Sequence, residues 1–481
     1  MSPDVRPFFL AGRPALGSDL HEVHNPFDGR LVATVAVPSP EQVEEAVAAL
    51  DGIRAEAARL PLSVRADVLM HVSGRLRERG DEVAKLISAE NGKPMKWARA
   101  EAGRAVSVFR WAAELTRQWN GEVQRLDTEP AARGRLALVR RVPRGPVLGI
   151  APFNFPLNLV AHKVAPAIAV GAPILLKPAP ATPLSALLLG ELLAETELPA
   201  PMFSVLPVPN DRMHALVADP RLPVVSFTGS APVGYAIRDA VPRKHVTLEL
   251  GGNAAAVVLG DYHSDADLDW AATRIAAFSN YQAGQSCISV QRVLLDRGVF
   301  DRALERIVEK VEAQVTGDPV DEATDVGPMV SQAAAERVEA WVDEAVQAGA
   351  KVLTGGTRDG ATYAPTVLVD VPVDAKVVCE EVFGPVLVVR AVDGVDDAIA
   401  AVNDSRFGLQ AGVFTHDVQT AFRMHRELEV GGVIIGDAPS YRAEQMPYGG
   451  VKESGDGREG LRYAMADYTY ERVLVLTGLD L

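Results

Sequence analysis

From Pro146 onward, apolar residues arrive in short continuous blocks: Val147-Leu148-Gly149-Ile150, Ile174-Leu175-Leu176, Phe203-Ser204-Val205-Leu206, Val224-Val225-Ser226-Phe227 and Val246 to Leu250. Segments with helical spacing separate them. Blocks apolar on both faces and divided by helices predict parallel strands of an open α/β sheet. Ligands of such sheets gather beyond the carboxyl ends of the strands. Here those ends read Pro152-Phe153-Asn154, Lys177-Pro178, Thr228-Gly229-Ser230 and Glu249-Leu250-Gly251-Gly252. A second α/β block follows, with strands over Ala255 to Leu259, Val290 to Leu295 and Pro385 to Val389 and a long helix from about Asp265.

Ahead of the first block, Ser39-Pro40-Glu41-Gln42 supplies an N-cap, a proline at the first helical position and a capping-box glutamine, and Val43, Ala46, Val47 and Leu50 share one face. A second helix is predicted from Ser63, with Leu69, Val72 and Leu76 in register, and a third from Asp81 to the Asn91-Gly92 stop. Glu122 to Arg144 alternates like a hairpin, and Tyr468 to Leu476 reads as another strand. Both lie outside the two blocks, so they predict a small third element whose exposed edge pairs with another subunit. The apolar stretch from Leu157 to Leu176 is broken by His162, Lys163, Pro166, Gly171 and Pro173, which predicts a buried helix running into a buried strand rather than a membrane span.

A chain of 481 residues exceeds one hydrophobic core and predicts two or three domains. Cys287 and Cys379 cannot build a disulfide framework, and no paired Cys/His spacing suggests a metal site. A reducing, cytoplasmic location is expected, because the apolar Phe8-Phe9-Leu10 lacks the flanks of a secretory signal. The net charge of −15 opposes nucleic-acid binding. Arg133, Arg135, Arg140, Arg141 and Arg144 are read as the solvated face of a strand pair.

Cys287 follows a helix and precedes a strand, among small neighbours in Gly284-Gln285-Ser286-Cys287-Ile288. Alone it is weak evidence, since most cytosolic cysteines are inert. Cys379 stands beside Glu380 and Glu381, which disfavour a thiolate. Glu249 closes a buried strand, where a carboxyl with a raised pKa serves as a general base. Asn154 offers an amide to a developing oxyanion. Lys177 suits a hydroxyl, and Thr228-Gly229-Ser230 leading to Gly234 suits phosphate at a helix N-terminus, although the spacing departs from the usual dinucleotide fingerprint.

In order, Asn154, Lys177, Ser230, Glu249, Cys287, Glu381-Val382-Phe383-Gly384-Pro385 and Pro447-Tyr448-Gly449-Gly450-Val451-Lys452 resemble the aldehyde dehydrogenase superfamily, from Val23-His24-Asn25-Pro26 to the C-terminal strand. The resemblance implies an α/β architecture. A nicotinamide-binding domain would take residues 1–121 and 146–251, with 449–462 returning to it. A catalytic domain would take 252–448, and a β oligomerisation element 122–145 and 463–481, assembling dimers or tetramers. It further implies that Cys287 is the nucleophile, that Asn154 and the Cys287 N–H hold the oxyanion, and that Glu249 activates water to hydrolyse the thioester. NADP or NAD would lie on Pro152, Phe153, Lys177, Pro180, Ser230, Val233, Leu250, Glu381 and Phe383. The aldehyde would meet Leu159, His162, Tyr281, Ser286, Ile288, Arg110, Arg442 and Tyr448.

Relatives that pass the acyl group to coenzyme A lack the glutamate found here at 249, and a catalytically silent binding protein has no reason to keep Asn154, Glu249 and Cys287 together. Pro180 stands where NAD-preferring members often place a glutamate, so a 2′-phosphate is not repelled. Val208-Pro209-Asn210 replaces a glycine-rich turn, and Asp456 an apolar residue. The Phe155 to Lys163 segment and Ser440-Tyr441-Arg442 are most similar to the subgroup acting on lactaldehyde, succinic semialdehyde and phosphonoacetaldehyde. Ser286 in place of an arginine points away from phosphorylated substrates and toward a hydroxy- or carboxy-aldehyde. Arg442 would then offer a forked cation to the tail, with Arg110 facing the same entrance.

Overall fold

The computed structural model describes residues 5–480. The apolar blocks form the middle of an eight-stranded sheet. His245–Glu249, Val224–Thr228, Val147–Ile150, Ile174–Lys177 and Phe203–Val205 run parallel. Gly455–Asp456 adds antiparallel at one edge, and Phe8–Leu10 followed by Arg13–Ala15 at the other. Thus Phe8-Phe9-Leu10 is a buried edge strand. The register sets Ile150 beside Phe227 and Lys177, and Thr228 beside Glu249. The strands therefore end level, and the segments that follow them emerge along one rim.

The helix Asn158–Val170 is buried along its whole length and runs into Ile174–Lys177. It packs against the long helix Met95–Arg117, whose buried stripe is apolar except for Glu101 and Thr116. The helix at Pro40–Ala57 opens as expected: Ser39 Oγ accepts from the Gln42 N–H at 3.3 Å, and the Gln42 side chain returns to the Ser39 N–H at 2.9 Å. Such a cap contributes about 1 kcal/mol. The next two helices are Leu62–Glu78 and Gly80–Asn91, the latter closed by Gly92 at φ 74°.

A second sheet has seven strands in the order Lys351–Thr354, Thr366–Val369, Val386–Val392, Arg292–Asp296, Ala255–Val258, Gln410–Phe414 and Gly432–Ile435. All neighbours are parallel except the first pair. The strand expected from Ala255 begins there, whereas the one expected from Val290 begins at Arg292, because Val290 and Gln291 still belong to the loop from Cys287. The hairpin Glu122–Arg125 and Arg135–Pro143 and the C-terminal Thr469–Thr477 form a separate antiparallel sheet. On it Arg141 pairs with Glu471 at 2.7 Å, and Arg144 donates to the Asp467 carbonyl at 3.0 Å. Another three-stranded sheet, Asp19–His24, Leu31–Val37 and Val5–Arg6, was not foreseen: its strands are short and half-exposed, so no periodic signal marks them. Among the described residues no helix is long and apolar enough to cross a membrane.

Candidate active site

A cleft of about 920 Å³ opens along the rim of the first sheet and reaches Cys287. Asn154, Glu249 and Cys287 line it, as do Pro152, Phe153, Lys177, Pro180, Ser230, Val233, Leu250, Glu381, Phe383 and Leu159.

The loop carrying Asn154 is anchored from the early helices. Asn91 Nδ2 donates to the Phe153 carbonyl at 2.8 Å, and Lys93 Nζ to the Asn154 carbonyl at 2.9 Å. Lys93 is wholly buried and ion-paired with Glu101. Glu101 Oε1 accepts from the Leu157 and Asn158 N–H groups at 3.0 and 3.1 Å, so one carboxylate caps the buried helix and neutralises Lys93. This explains a glutamate in an apolar stripe. The Asn154 amide donates to the Gln285 carbonyl at 2.9 Å and keeps a second N–H.

Cys287 is reached through a tight turn after the helix Asp265–Asn280, in which Gln282, Ala283 and Gly284 all take positive φ, at 55°, 50° and 70°. A side chain on Gly284 would collide with the Gly384 carbonyl. Left-handed conformations at two non-glycine residues cost on the order of 1–3 kcal/mol each and persist where surrounding structure over-determines them. Here they seat Gly284, three residues before Cys287, against Gly384 and Pro385. Burial pushes the Cys287 thiol up to about 12, opposed by its hydrogen bond with the Tyr448 hydroxyl at 2.9 Å, in which either atom can donate.

Glu249 ends its strand with both carboxylate oxygens buried and unpartnered. Burial raises its pKa well above the usual carboxylate range, and the charge of Glu459 adds to this, while Arg442 and Lys163 oppose it. An unpartnered buried carboxyl is costly unless something used in function occupies its lone pairs. Lys163, from the buried helix, donates to Ser226 Oγ at 3.1 Å and Thr228 Oγ1 at 2.7 Å and lies 3.6 Å from Glu459. Against its own burial, Glu459 is held below the usual carboxylate range by Lys163 and Arg442.

At the far end of the cleft Lys177 donates to Asn210 Oδ1 at 2.6 Å, and burial lowers its ammonium to about 8. The Val208-Pro209-Asn210 departure therefore supplies this lysine's partner. The Pro180 carbonyl is bonded to His21 Nε2 at 2.8 Å. Ser230 is the N-cap of the helix Ala231–Ala240 with its side chain not engaged in capping. Burial raises Glu381 to about 7, although its Oε1 accepts from the Gly252 N–H at 2.9 Å. The Phe153 and Phe383 rings meet edge to face at 5.8 Å. A lysine, a free helix N-terminus and a carboxylate along one groove suit the riboses and pyrophosphate of a dinucleotide.

The residues expected around the aldehyde divide. Leu159 and Tyr281 pack with Phe155, and Ile288 and Tyr448 pack around Cys287. Ser286, His162, Tyr281, Ile288 and Tyr448 are buried and, like Arg442, do not line the cleft. Arg110 does not face the entrance: it pairs with Glu114 one turn on and stacks over Trp111, because position 110 falls on the outer side of its helix. Arg104, from the same helix, turns inward instead. It pairs with Glu444 at 2.5 Å and approaches the Phe155 ring at 5.8 Å. Arg442 sits on the expected loop, but its side chain is buried rather than presented to solvent. Its guanidinium contacts Glu459 at 3.0 Å, His162 Nε2 at 3.3 Å and the Tyr448 ring at 3.9 Å. His162 and Glu444 are paired at 2.5 Å. Arg104, Lys163, Glu444 and Glu459 went unassigned in the sequence. Lys163 in its apolar helix and Glu459 in a glycine-rich run carried a signal, whereas Arg104 and Glu444 lie among other charged and polar residues. Asp456 pairs with Arg238 at 2.5 Å, which accounts for an acidic residue on that edge strand. Cys379 is exposed, its thiol raised by burial of one side and by Glu380.

Residues 15–474 match the aldehyde dehydrogenase family. The chain is 42% identical over 457 residues to 3-sulfolactaldehyde dehydrogenase of Priestia aryabhattai, covering 95% of this chain and 94% of that one. The fold superimposes on aldehyde dehydrogenase 21 of Physcomitrella patens, in complex with the reaction product succinate, with a TM-score of 0.97, 41% identity and 100% of both chains covered. It also superimposes on a glyceraldehyde-3-phosphate dehydrogenase of Methanocaldococcus jannaschii complexed with NADP, with a TM-score of 0.90, 35% identity and 95% and 99% coverage. The chain therefore belongs to the aldehyde dehydrogenase family and is an NAD(P)-dependent oxidoreductase.

Proposed function

We propose that this chain oxidises a short aldehyde with an anionic or hydroxylated tail to its carboxylic acid, through a thioester on Cys287. The observation that carries the reading is the convergence of the Asn154 amide, the Cys287 thiol and the unpartnered Glu249 carboxyl on one cleft. The Cys287 thiolate adds to the carbonyl carbon, and the resulting oxyanion accepts from Asn154 Nδ2–H and the Cys287 N–H. NAD(P), when bound, supplies the ring that accepts hydride. Lys177, Ser230 and Glu381 would hold its riboses and pyrophosphate, with the Phe153–Phe383 pair walling the groove. Glu249 then takes a proton from water, whose oxygen attacks the thioester; the carbon–sulfur bond breaks and the acid departs. The raised pKa of Glu249 makes its carboxylate a stronger base than an exposed one.

Arg442 stacks over Tyr448, the hydrogen-bond partner of Cys287, and Arg104 lies beside Phe155, which packs against Leu159 of the cleft wall. Both already face carboxylates, so a tail group would share them rather than meet bare charge. The sulfonated and carboxylated compounds named for the relatives agree with this tail chemistry. A panel of aldehydes matched in length and bearing sulfonate, carboxylate, hydroxyl or methyl tails, assayed by NAD(P)H formation, tests it. Preference for the methyl tail would overturn it.

The strands of the eight-stranded sheet come from residues 8–15, 147–249 and 455–456, which supports a cofactor domain of 1–121, 146–251 and 449–462 beside a catalytic domain of 252–448. Residues 122–145 and 463–481 are the self-association element. Val473, Leu474, Val475 and Leu476 expose 37–56% of their surface along an unpaired strand edge, which supports dimers or tetramers closing over it. A free thiol nucleophile suits a reducing cytoplasm.

A further inference from the structure

Among the described residues the Tyr448 hydroxyl is the hydrogen-bond partner of Cys287 Sγ, at 2.9 Å. Tyr448 is itself held on several sides. Its N–H donates to the Glu459 carbonyl at 3.1 Å, and the Glu459 N–H returns to the Tyr448 carbonyl at 2.7 Å. The guanidinium of Arg442 lies 3.9 Å from the ring centre and is anchored to Glu459 at 3.0 Å. Ile288 and Leu409 pack beside the ring, which is 4% exposed. A phenylalanine would fill the same space, so packing does not explain the hydroxyl.

We propose that Tyr448 is a positioning residue for the nucleophile: its O–H donates to Sγ, aims the sulfur into the cleft and stabilises the thiolate, and Arg442 against the ring face strengthens the donor. The proposal rests on Cys287 being the nucleophile. Hydrogen bonds to an ionised acceptor are about twice as strong as neutral ones. A cation on a phenol ring stabilises electron density moving onto its oxygen. The charged groups facing Sγ are Glu381, beyond the helix Lys376–Cys379, Glu249 at its strand end, and Arg442 from the loop before Tyr448. Both carboxylates oppose a thiolate and Arg442 favours it. Without the hydroxyl, burial and the carboxylates are countered by Arg442 alone, and the thiolate forms only at higher pH.

Alkylation of Cys287 by iodoacetamide across pH, in a Cys379→Ser background, reads this without turnover. Tyr448→Phe is expected to move the profile up by about one pH unit or more, a tenfold slower reaction at a fixed pH below the midpoint. kcat should fall while KM for the aldehyde stays within about twofold, the pattern of a lost transition-state contribution. An unmoved alkylation profile overturns the proposal even if the variant is less stable. Should Tyr448→Phe not fold, 3-fluorotyrosine at 448 decides, since its more acidic phenol is expected to move the profile down; no movement overturns the proposal. Failure of the underlying reading looks different: Cys287→Ala would retain dehydrogenase activity, whatever the alkylation profile.

Discussion

Asn154 donates from Nδ2 to the carbonyl of Gln285 at 2.9 Å, so the proposed oxyanion donor and the loop of the proposed nucleophile are tied together by the donor's own side chain. One amide hydrogen sets the geometry and the other remains for the substrate oxygen. Asn154→Ala should lower kcat by about 10²–10³, the usual cost of losing one oxyanion donor. NADPH affinity, measured by fluorescence titration, should change by less than about twofold. A loss confined to KM would assign the amide to substrate binding.

Burial and the charge of Glu459 raise the Glu249 pKa, so its basic form is lost as pH falls through that raised value, above the ordinary carboxylate range. Deacylation should fall over the same window. Glu459→Gln removes a like charge and leaves Lys163 and Arg442 free to stabilise the Glu249 anion, so the limb should move to lower pH. The variant also strands two buried cations, at a cost of about 3–5 kcal/mol. Single-turnover hydrolysis against pH and urea unfolding measure the two effects. A limb that stays in place would separate Glu249 from this charge network.

Pro180 lines the far end of the cleft, next to Lys177 in the rim. Pro180→Glu should weaken NADP by about 1–2 kcal/mol through repulsion of the 2′-phosphate, as expected for a partly solvated pair of like charges. NAD should gain a hydroxyl acceptor. The ratio of kcat/KM for the two cofactors is the measurement, and an unchanged ratio would place the ribose elsewhere.

Arg104→Gln should raise KM for an aldehyde with a carboxylate or sulfonate tail about tenfold and leave a short neutral aldehyde within about twofold. Arg442→Ala is a harsher test, because it also leaves Glu459 with Lys163 alone and uncovers the Tyr448 ring. Equal losses on both aldehydes in Arg104→Gln would make Arg104 a support for Glu444 rather than a reader of the tail.

Much of the groove was legible because it is built from strand ends. Asn154, Lys177, Ser230 and Glu249 each follow a continuous apolar run, and a level register brings such ends together whatever the helices between them do. The cap at Ser39 and the stop at Gly92 are local and were read directly. The charged cluster beside Cys287 was less legible, because Arg104, His162, Arg442, Glu444 and Glu459 come from separated segments and acquire meaning only as neighbours. Choosing between Arg104 and Arg110 required knowing the helix rotation about its axis, and both positions are polar. The strained turn at Gln282 and Ala283 carries no residue signal, since neither is a usual left-handed residue.

The most direct measurement is intact-protein and peptide mass spectrometry of Glu249→Gln after mixing with a substrate aldehyde and NAD(P). One acyl group per chain should appear on the peptide carrying Cys287, with NAD(P)H equal to the number of sites and no further turnover, because only deacylation needs the base. Sustained turnover with no adduct on Cys287 would contradict a thioester hydrolysed by Glu249.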